Sequence, residues 1–384
     1  MKDCYEAVVI GGGVVGSAIT FELAKRGITD VLLLEKGGLA SGATGRCAAG
    51  IRQQWGSELN ARIALESTKI FEKIEEYTGY EESCGLTQNG YLLVAYSDAE
   101  LEQFTKNLEV QHKLGIDSYA VDQDEMLKIV PYIDLEGVTG GTFCPKDGYL
   151  NPFHTTNAYA KGAQKLGATI QTYTEAIDFT TEDGKITGVN TSKGYIRTKM
   201  VINCANTWAP ELAAKVGEKI PVTTERHQIY VTEPVDHFLD PLVMSFSRNY
   251  YVQQTPNGSV ILGGTPEAHR EDYHTSWQFL ERSCYEMCKM MPILRKLKIV
   301  RAWAGFYDMS PDRHPIIDEA KAAKGFYSVC GFSSHGFMVA PRIAILVANH
   351  VAGIEDDLDI TLFSQKRFET GKLLVEPAIV EGKD

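Results

Sequence analysis

The chain has 384 residues, 44% of them hydrophobic and 23% charged, with a formal net charge of −12. A chain of this length fits about two domains, and its acidity excludes nucleic acid as a partner, which would need clustered Lys and Arg to displace counterions. Its longest apolar runs, AVVIGGGVVGSAI and APRIAILVANHVAGI, are too short or too interrupted to span a bilayer.

The first residues, MKDCYEAVVIGGG, enter an apolar run almost at once and leave no room for a signal peptide. The cysteines are scattered without a CxxC pair, so they read as reduced thiols and the expected compartment is the cytoplasm. Cys284 and Cys288 sit one helical turn apart, but no further Cys or His lies at ligand spacing, so no metal is expected.

Ala7 to Ile10 is a short β-branched run of the kind that forms a buried parallel strand. It runs into Gly11-x-Gly13-x-x-Gly16, with Val14 and Val15 as further expected cofactor contacts, and then a helix with apolar positions at Ile19, Leu23 and Ala24. A second apolar run, Val31 to Leu34, ends in Glu35 and Lys36. Gly11 permits the tight turn, Gly13 lets backbone N–H groups approach a pyrophosphate, and Gly16 lets helix and strand pack closely. The helix N-terminus adds partial positive charge for the phosphates. Glu35 can accept hydrogen bonds from ribose hydroxyls, and an acid there disfavours a 2′-phosphate. Strand, glycines, helix, second strand and acid together specify dinucleotide binding.

NAD and FAD share that fingerprint, and the next segment separates them. Gly37 to Gly50 is a long loop of small residues carrying Ser41, Thr44, Arg46, Cys47, Ala48 and Ala49 before Gly50 and Ile51. Such a loop can lie flat against a large planar ligand and bring backbone N–H groups to ring heteroatoms, which favours a flavin.

Further along, residues 97–114 predict an amphipathic helix. The stretch 157–204 reads as a helix, a strand, a hairpin through Asp183-Gly184, a second strand turning near Lys193-Gly194, and a last strand from Met200 to Cys204. That strand leads into Ala205, Asn206 and Trp208, which the resemblance described below would place at the cofactor. GYLLVAYSD, RHQIYVTEP, NYYVQQTPNGSVILGG and IVRAWAGFYDMSP are aromatic and β-branched, so a mixed or antiparallel sheet is expected. CGFSSHGFM places serines beside a histidine, but it lacks the GxSxG elbow of a hydrolase. It reads instead as a tight turn before a helix starting near Pro341, and the resemblance described below would aim the positive end of that helix at a flavin.

VVIGGGVVGSAITFELAKRG, SGATGRCAAGIRQQ, VINCANTWAPELA, SPDRHPIID and VCGFSSHGFMVAP occur in that order, and in them the chain resembles the D-amino-acid-oxidase-like superfamily of FAD oxidoreductases. Within it the chain is similar to the β subunits of dye-linked L-proline dehydrogenases and heteromeric sarcosine oxidases, with hydrogen cyanide synthase and opine oxidase subunits nearby. The resemblance implies an α/β chain. A discontinuous, Rossmann-like (glutathione-reductase-type) FAD domain would span 1–80, 145–215 and 320–384. An α+β substrate or cap domain with a mixed or antiparallel sheet would span 81–144 and 216–319. It also implies that Ala176, Cys204, Gly305, Gly331, Phe332, His335, Gly336, Phe337 and Met338 line the flavin site. Arg52 and Tyr307 would hold a substrate carboxylate, with Tyr251, His335 and Arg301 as further pocket candidates.

Four departures from the sarcosine-oxidase pattern bear on chemistry. A carboxylate-clamping lysine is replaced by Met338, which puts sarcosine itself in question. The cysteine that tethers FAD aligns with Gly305, so FAD is expected to be non-covalent. The lysine that promotes oxygen attack aligns with Ile261, and an isoleucine cannot stabilise developing superoxide charge. The histidine that holds covalent FMN aligns near Pro152, two residues from His154, so any FMN at a partner interface is expected to be non-covalent.

The implied activity is hydride transfer from the carbon next to nitrogen of a proline- or sarcosine-like amine to flavin N5, giving an imine. Electrons would then pass to a second cofactor in a complex with an NADH-oxidase-like α subunit and small electron-transfer subunits. Two alternatives stay open: a stand-alone glycine- or sarcosine-type oxidase producing H2O2, and a flavin-bearing scaffold whose chemistry occurs in a partner.

Overall fold

The computed structural model describes residues 2–264, 267–268 and 272–378. Ala7–Ile10 and Val31–Leu34 are buried along their whole length. They form the middle of a six-stranded sheet in the order Ile316–Glu319, Phe326–Cys330, Val201–Asn203, Ala7–Ile10, Val31–Leu34, Thr169–Gln171. Every pairing is parallel except that of the edge strand Ile316–Glu319. Ala7 and Val9 pack with the helices Val14–Lys25, Pro152–Lys165 and Gly336–Ala352. Val8 and Ile10 point the other way, toward Phe179, Val189 and Leu212. Burial on both faces is why these strands read as unbroken apolar runs.

Asp183 and Gly184, both at positive φ, turn Ala176–Glu182 into Lys185–Thr191, which pairs with Gly194–Arg197 in a three-stranded antiparallel sheet. The helix over 97–114 is Asp98–Lys113, and the Ser97 side chain accepts the Glu100 N–H at 3.3 Å.

Two boundaries differ from the sequence reading. The strand Ile316–Glu319 belongs to the six-stranded sheet, so the third piece of this layer reaches back ahead of residue 320. The last long helix begins at Gly336 rather than near Pro341, which lies buried within it. Proline is tolerated near a helix start, where the N–H it lacks is least missed, and here it falls shortly after the first turn.

A second, nine-stranded sheet has the order Glu267–Ala268, Thr223–Thr232, Val260–Gly264, Tyr250–Gln254, Leu242–Ser245, Tyr91–Ala95, Gly140–Cys144, Tyr119–Val121, with Ile299–Met309 on the other edge of Thr223–Thr232. Leu242–Ser245 pairs in parallel with Tyr91–Ala95 and the other pairings are antiparallel, so the sheet is mixed. Tyr230, Val252 and Leu262 pack with Phe279 and Met287 of the helix Trp277–Met290. The alternate residues Tyr91, Tyr251 and Tyr307 occupy the opposite face, which roofs the first layer. Trp303 Nε1–H donates to Arg46 O at 2.9 Å and Arg46 Nη1–H to Ala304 O at 3.1 Å, joining roof to loop.

Candidate functional site

The glycine turn is built for close approach. Gly11 has φ +109°, and a Cβ there would stand 2.5 Å from Cys204 O; at Gly16 it would stand 2.0 Å from Gly11 O. Neither position admits a side chain. The Val14 N–H donates to Thr44 Oγ1 at 3.1 Å, tying the helix start to the small-residue loop. The Glu35 carboxylate accepts the N–H groups of Gly12 at 2.8 Å and Gly37 at 2.7 Å, which fixes it at the end of its strand.

These elements open onto a cleft of about 500 Å3. Of the expected cofactor residues it brings together Gly11, Gly13, Val14, Val15, Gly16, Glu35 and Lys36 on the first βαβ unit, and Ser41, Thr44 and Cys47 on the loop. Ala176, Cys204, Ala205, Asn206 and Trp208 form another wall, and Phe332, Gly336 and Phe337 close the far end. Lys36 stacks on Trp208, with its Nζ 3.6 Å from the ring centroid. The Asn206 Oδ1 is buried without a hydrogen-bond partner, so the lining presents a polar atom that a ligand would satisfy. A shaped glycine turn, an anchored ribose-side acid and an orphaned amide oxygen in one elongated cleft fit a flavin dinucleotide.

The other expected residues stand outside the lining. Gly50 and Ile51 pair as a strand with Gly148 and Tyr149, and a Cβ on Gly50 would stand 1.8 Å from the Tyr91 hydroxyl. Ala49 is buried behind the loop, with Ala48 beside it, and Met338 packs in the core near Trp55. A Cβ on Gly305 would meet Arg46 Cβ at 3.1 Å. Gly331, at φ +72°, donates its N–H to Asp308 Oδ2 at 2.6 Å. Arg301 is exposed and its guanidinium lies 5.6 Å from the Trp303 ring, away from the cleft.

The sequence reading missed Asp308, Phe306, Tyr273 and Ser334, all of which line the cleft. Ser333 and Ser334 have φ of 50° and 80°, and His335 then returns to the right-handed region. The Ser333 and His335 N–H groups are taken by Asp308 O and Phe332 O, which leaves those of Ser334 and Gly336, both in the cleft lining, as donors for an anionic ligand edge at the N-terminus of Gly336–Ala352. The strain is held by the Ser333 N–H bond to Asp308 O at 3.1 Å and the Ser310 N–H bond to Ser333 Oγ at 3.1 Å. Asp308 is buried, and burial pushes its carboxyl up to about 6 against the opposing backbone hydrogen bonds.

Beyond the cleft lies a polar cluster. Arg52 is 2% exposed, donates Nη1–H to Gln54 O at 2.9 Å, and stacks 4.3 Å from Trp55 and 4.9 Å from Phe246. No carboxylate of the described residues lies within ion-pair distance of it. Asp147, fully buried, accepts the Gln53 N–H at 2.7 Å and the Gln54 side-chain amide at 3.0 Å. Its carboxyl is pushed up to about 6 by burial. The Tyr251 ring lies across Gly263, where a Cβ would stand 2.0 Å from it. Burial raises the hydroxyls of Tyr91, Tyr251 and Tyr307 well above their ordinary range, so all three remain donors. A buried guanidinium and three hydroxyls without a facing carboxylate suit an anionic group.

His335 takes a different place from the one expected. Its ring lines a second cavity of about 240 Å3, with Trp55, Asn60, His314 and Glu376, while its neighbours Ser334 and Gly336 line the cleft. It meets Trp55 edge-on at 4.6 Å, and burial, with Arg52 nearby, keeps it neutral.

All eight cysteines are unpaired. Among the described residues no cluster of three or more His, Cys, Asp or Glu could hold a metal, and no helix is long and apolar enough to cross a membrane.

A family model described as DAO, FAD dependent oxidoreductase, matches residues 6–350. The crystal structure of L-proline dehydrogenase from P. horikoshii is 36% identical, with a TM-score of 0.92, covering 97% of this chain and 100% of that one. Sarcosine oxidase subunit beta of Rhodobacter capsulatus is 26% identical over 98% of this chain and 91% of its own length. Human mitochondrial dimethylglycine dehydrogenase is 25% identical over 96% of this chain, which spans 45% of that protein.

Proposed function

Because the chain belongs to the family of FAD-dependent oxidoreductases, we propose that it is the catalytic, β-type subunit of an amino-acid dehydrogenase acting on a proline- or sarcosine-like secondary amine. The observation that carries this reading is the buried Arg52 guanidinium, stacked on Trp55 and Phe246, with Asp147 and Glu376 acting on it only from beyond ion-pair distance. Bound FAD supplies a two-electron acceptor for the hydrogen on the carbon next to nitrogen.

The chain's own residues bind and orient. Arg52 and the Tyr307 hydroxyl hold the substrate carboxylate, and Tyr251, packed across Gly263, closes the roof over it. The turn at Ser333 and Ser334 and the helix start at Gly336 place N–H groups where negative charge gathers as the ring is reduced. Gly305 offers no thiol, so FAD is held without a covalent tether.

Ile261 stands on the roof face opposite Gln253, at the position that the resemblance to sarcosine oxidases gives to the oxygen-activating lysine. Electrons therefore leave through a partner rather than to O2. We place the partner, and any non-covalent FMN, against the start of the helix Pro152–Lys165. There Phe153 is 49% exposed and its ring would crowd a Cβ on Gly45 of the flavin loop. An NADH-oxidase-like subunit with small electron carriers suits that surface, and the cytoplasm is the proposed compartment. Support for a multi-subunit assembly is the likeness to a sarcosine oxidase subunit beta.

The alternative, a stand-alone oxidase of the glycine or sarcosine type, requires fast reoxidation by air. Anaerobic bleaching of the bound flavin by an amine panel, followed by admission of air, separates the two.

A further inference from the structure

Beside Tyr307 the roof carries a histidine that the preceding chemistry leaves unused. Thr223–Thr232 pairs antiparallel with Ile299–Met309, setting Glu225 opposite Tyr307 and His227 opposite Gly305. Directly opposed residues share a face of the sheet, so His227 stands on the cleft side with Tyr307. Opposite a glycine it has no cross-strand side chain to pack on. It stacks instead on Tyr307, with ring centroids 3.5 Å apart and planes 28° from parallel.

Its hydrogen bonding is unfilled. Neither ring nitrogen bonds any described residue, although the side chain is only partly accessible. Burial alone pushes it down to about 3, so it stays neutral at physiological pH, with one N–H and one bare acceptor nitrogen. Its nitrogens are not among the sealed-off polar atoms, so they are open to a ligand that offers a matching donor or acceptor.

We propose that His227 is the amine-recognising residue of the pocket, accepting the N–H of a primary or secondary amino acid whose carboxylate is held by Arg52 and Tyr307. The inference rests on the reading that the pocket between Arg52 and Tyr307 takes an amino acid. One carbon separates the carboxylate and nitrogen of an α-amino acid, so a ligand whose carboxylate meets the Tyr307 hydroxyl carries its nitrogen toward the ring stacked on that tyrosine. A neutral tertiary amine offers no N–H, so the pocket favours secondary over tertiary amines. The names of the relatives include one of each kind, sarcosine and dimethylglycine, and His227 sets which side this chain takes.

The test uses the full chain with FAD bound and two acids that cannot be oxidised at an sp3 carbon. Pyrrole-2-carboxylate carries the N–H; furan-2-carboxylate has the same shape without it. Both are titrated by their perturbation of the flavin absorbance. The wild type binds the pyrrole acid about tenfold more tightly than the furan acid. His227→Phe brings that ratio close to one through loss of pyrrole-acid affinity, and His227→Asn restores part of it. A wild-type ratio of one, or an unchanged ratio in His227→Phe with FAD retained, overturns the inference. If neither acid perturbs the wild-type flavin, it is the amino-acid reading itself that fails.

Discussion

Asp147 accepts the backbone N–H of Gln53 at 2.7 Å, and so holds in place the segment that carries Arg52. It also takes the side-chain amides of Gln53 and Gln54. Asp147→Ala leaves these buried donors unpaired and unfolds the chain at lower temperature, by about 1–3 kcal/mol. Asp147→Asn, which keeps an acceptor oxygen, costs less. Differential scanning of the two variants gives that order; equal Tm values would mean that Asp147 does not clamp this segment.

Arg52→Ala is expected to retain FAD, since the guanidinium lies outside the cleft lining. The same variant loses about a hundredfold or more in kcat/KM for an amino acid, because a buried charge partner of the carboxylate is gone. Arg52→Lys recovers little of this, a point charge being unable to reproduce the planar fork. Steady-state kinetics with an artificial acceptor, beside the flavin content of each variant, provide the check.

Asp308 contributes a pH dependence of known sign. Its folded value of about 6 lies above the ordinary 3.8. Between those values the folded chain keeps a proton that the unfolded chain has lost, so this group makes stability fall as pH rises from about 4 to about 6. Asp308→Asn retains an oxygen for the Gly331 N–H and removes the titration. Urea unfolding at pH 4, 5 and 6 should show a shallower decline in the variant than in the wild type.

Ile261→Lys places a cation on the roof face. Reoxidation of the reduced flavin by air is expected to speed up about tenfold or more, with the rate of reduction by substrate little changed. Stopped-flow mixing of the reduced protein with aerated buffer measures it. No acceleration in a folded, FAD-loaded variant would remove Ile261 as the reason for slow oxygen reaction.

Features written in consecutive residues were legible in the sequence. The glycine turn at Gly11 to Gly16, the helix over 97–114 and the Asp183-Gly184 hairpin each follow from local pattern or backbone preference. A mixed or antiparallel second sheet was also legible from its aromatic, β-branched runs; its one parallel pairing, of Leu242–Ser245 with Tyr91–Ala95, was not. Features that depend on register between distant strands were not. His227 reaches Tyr307 only because residues some eighty apart in the chain are paired. Asp308 enters the cleft only through its bond to Gly331. The start at Gly336 was hidden because Ser333 and Ser334 adopt left-handed conformations that serine seldom takes. The resemblance made His335 a flavin neighbour. Adjacent residues at a helix start point in different directions, and its ring went to the other cavity.

The central claim is an amino-acid dehydrogenase with a closed oxygen route. Its most direct test is anaerobic mixing of the FAD-loaded chain with L-proline, sarcosine and related amines, following the flavin absorbance, and then admitting air. Bleaching by a secondary amino acid with slow recovery in air is the predicted result. Rapid recovery with peroxide formation, or no bleaching by any amine in the presence of the intact complex, would contradict it.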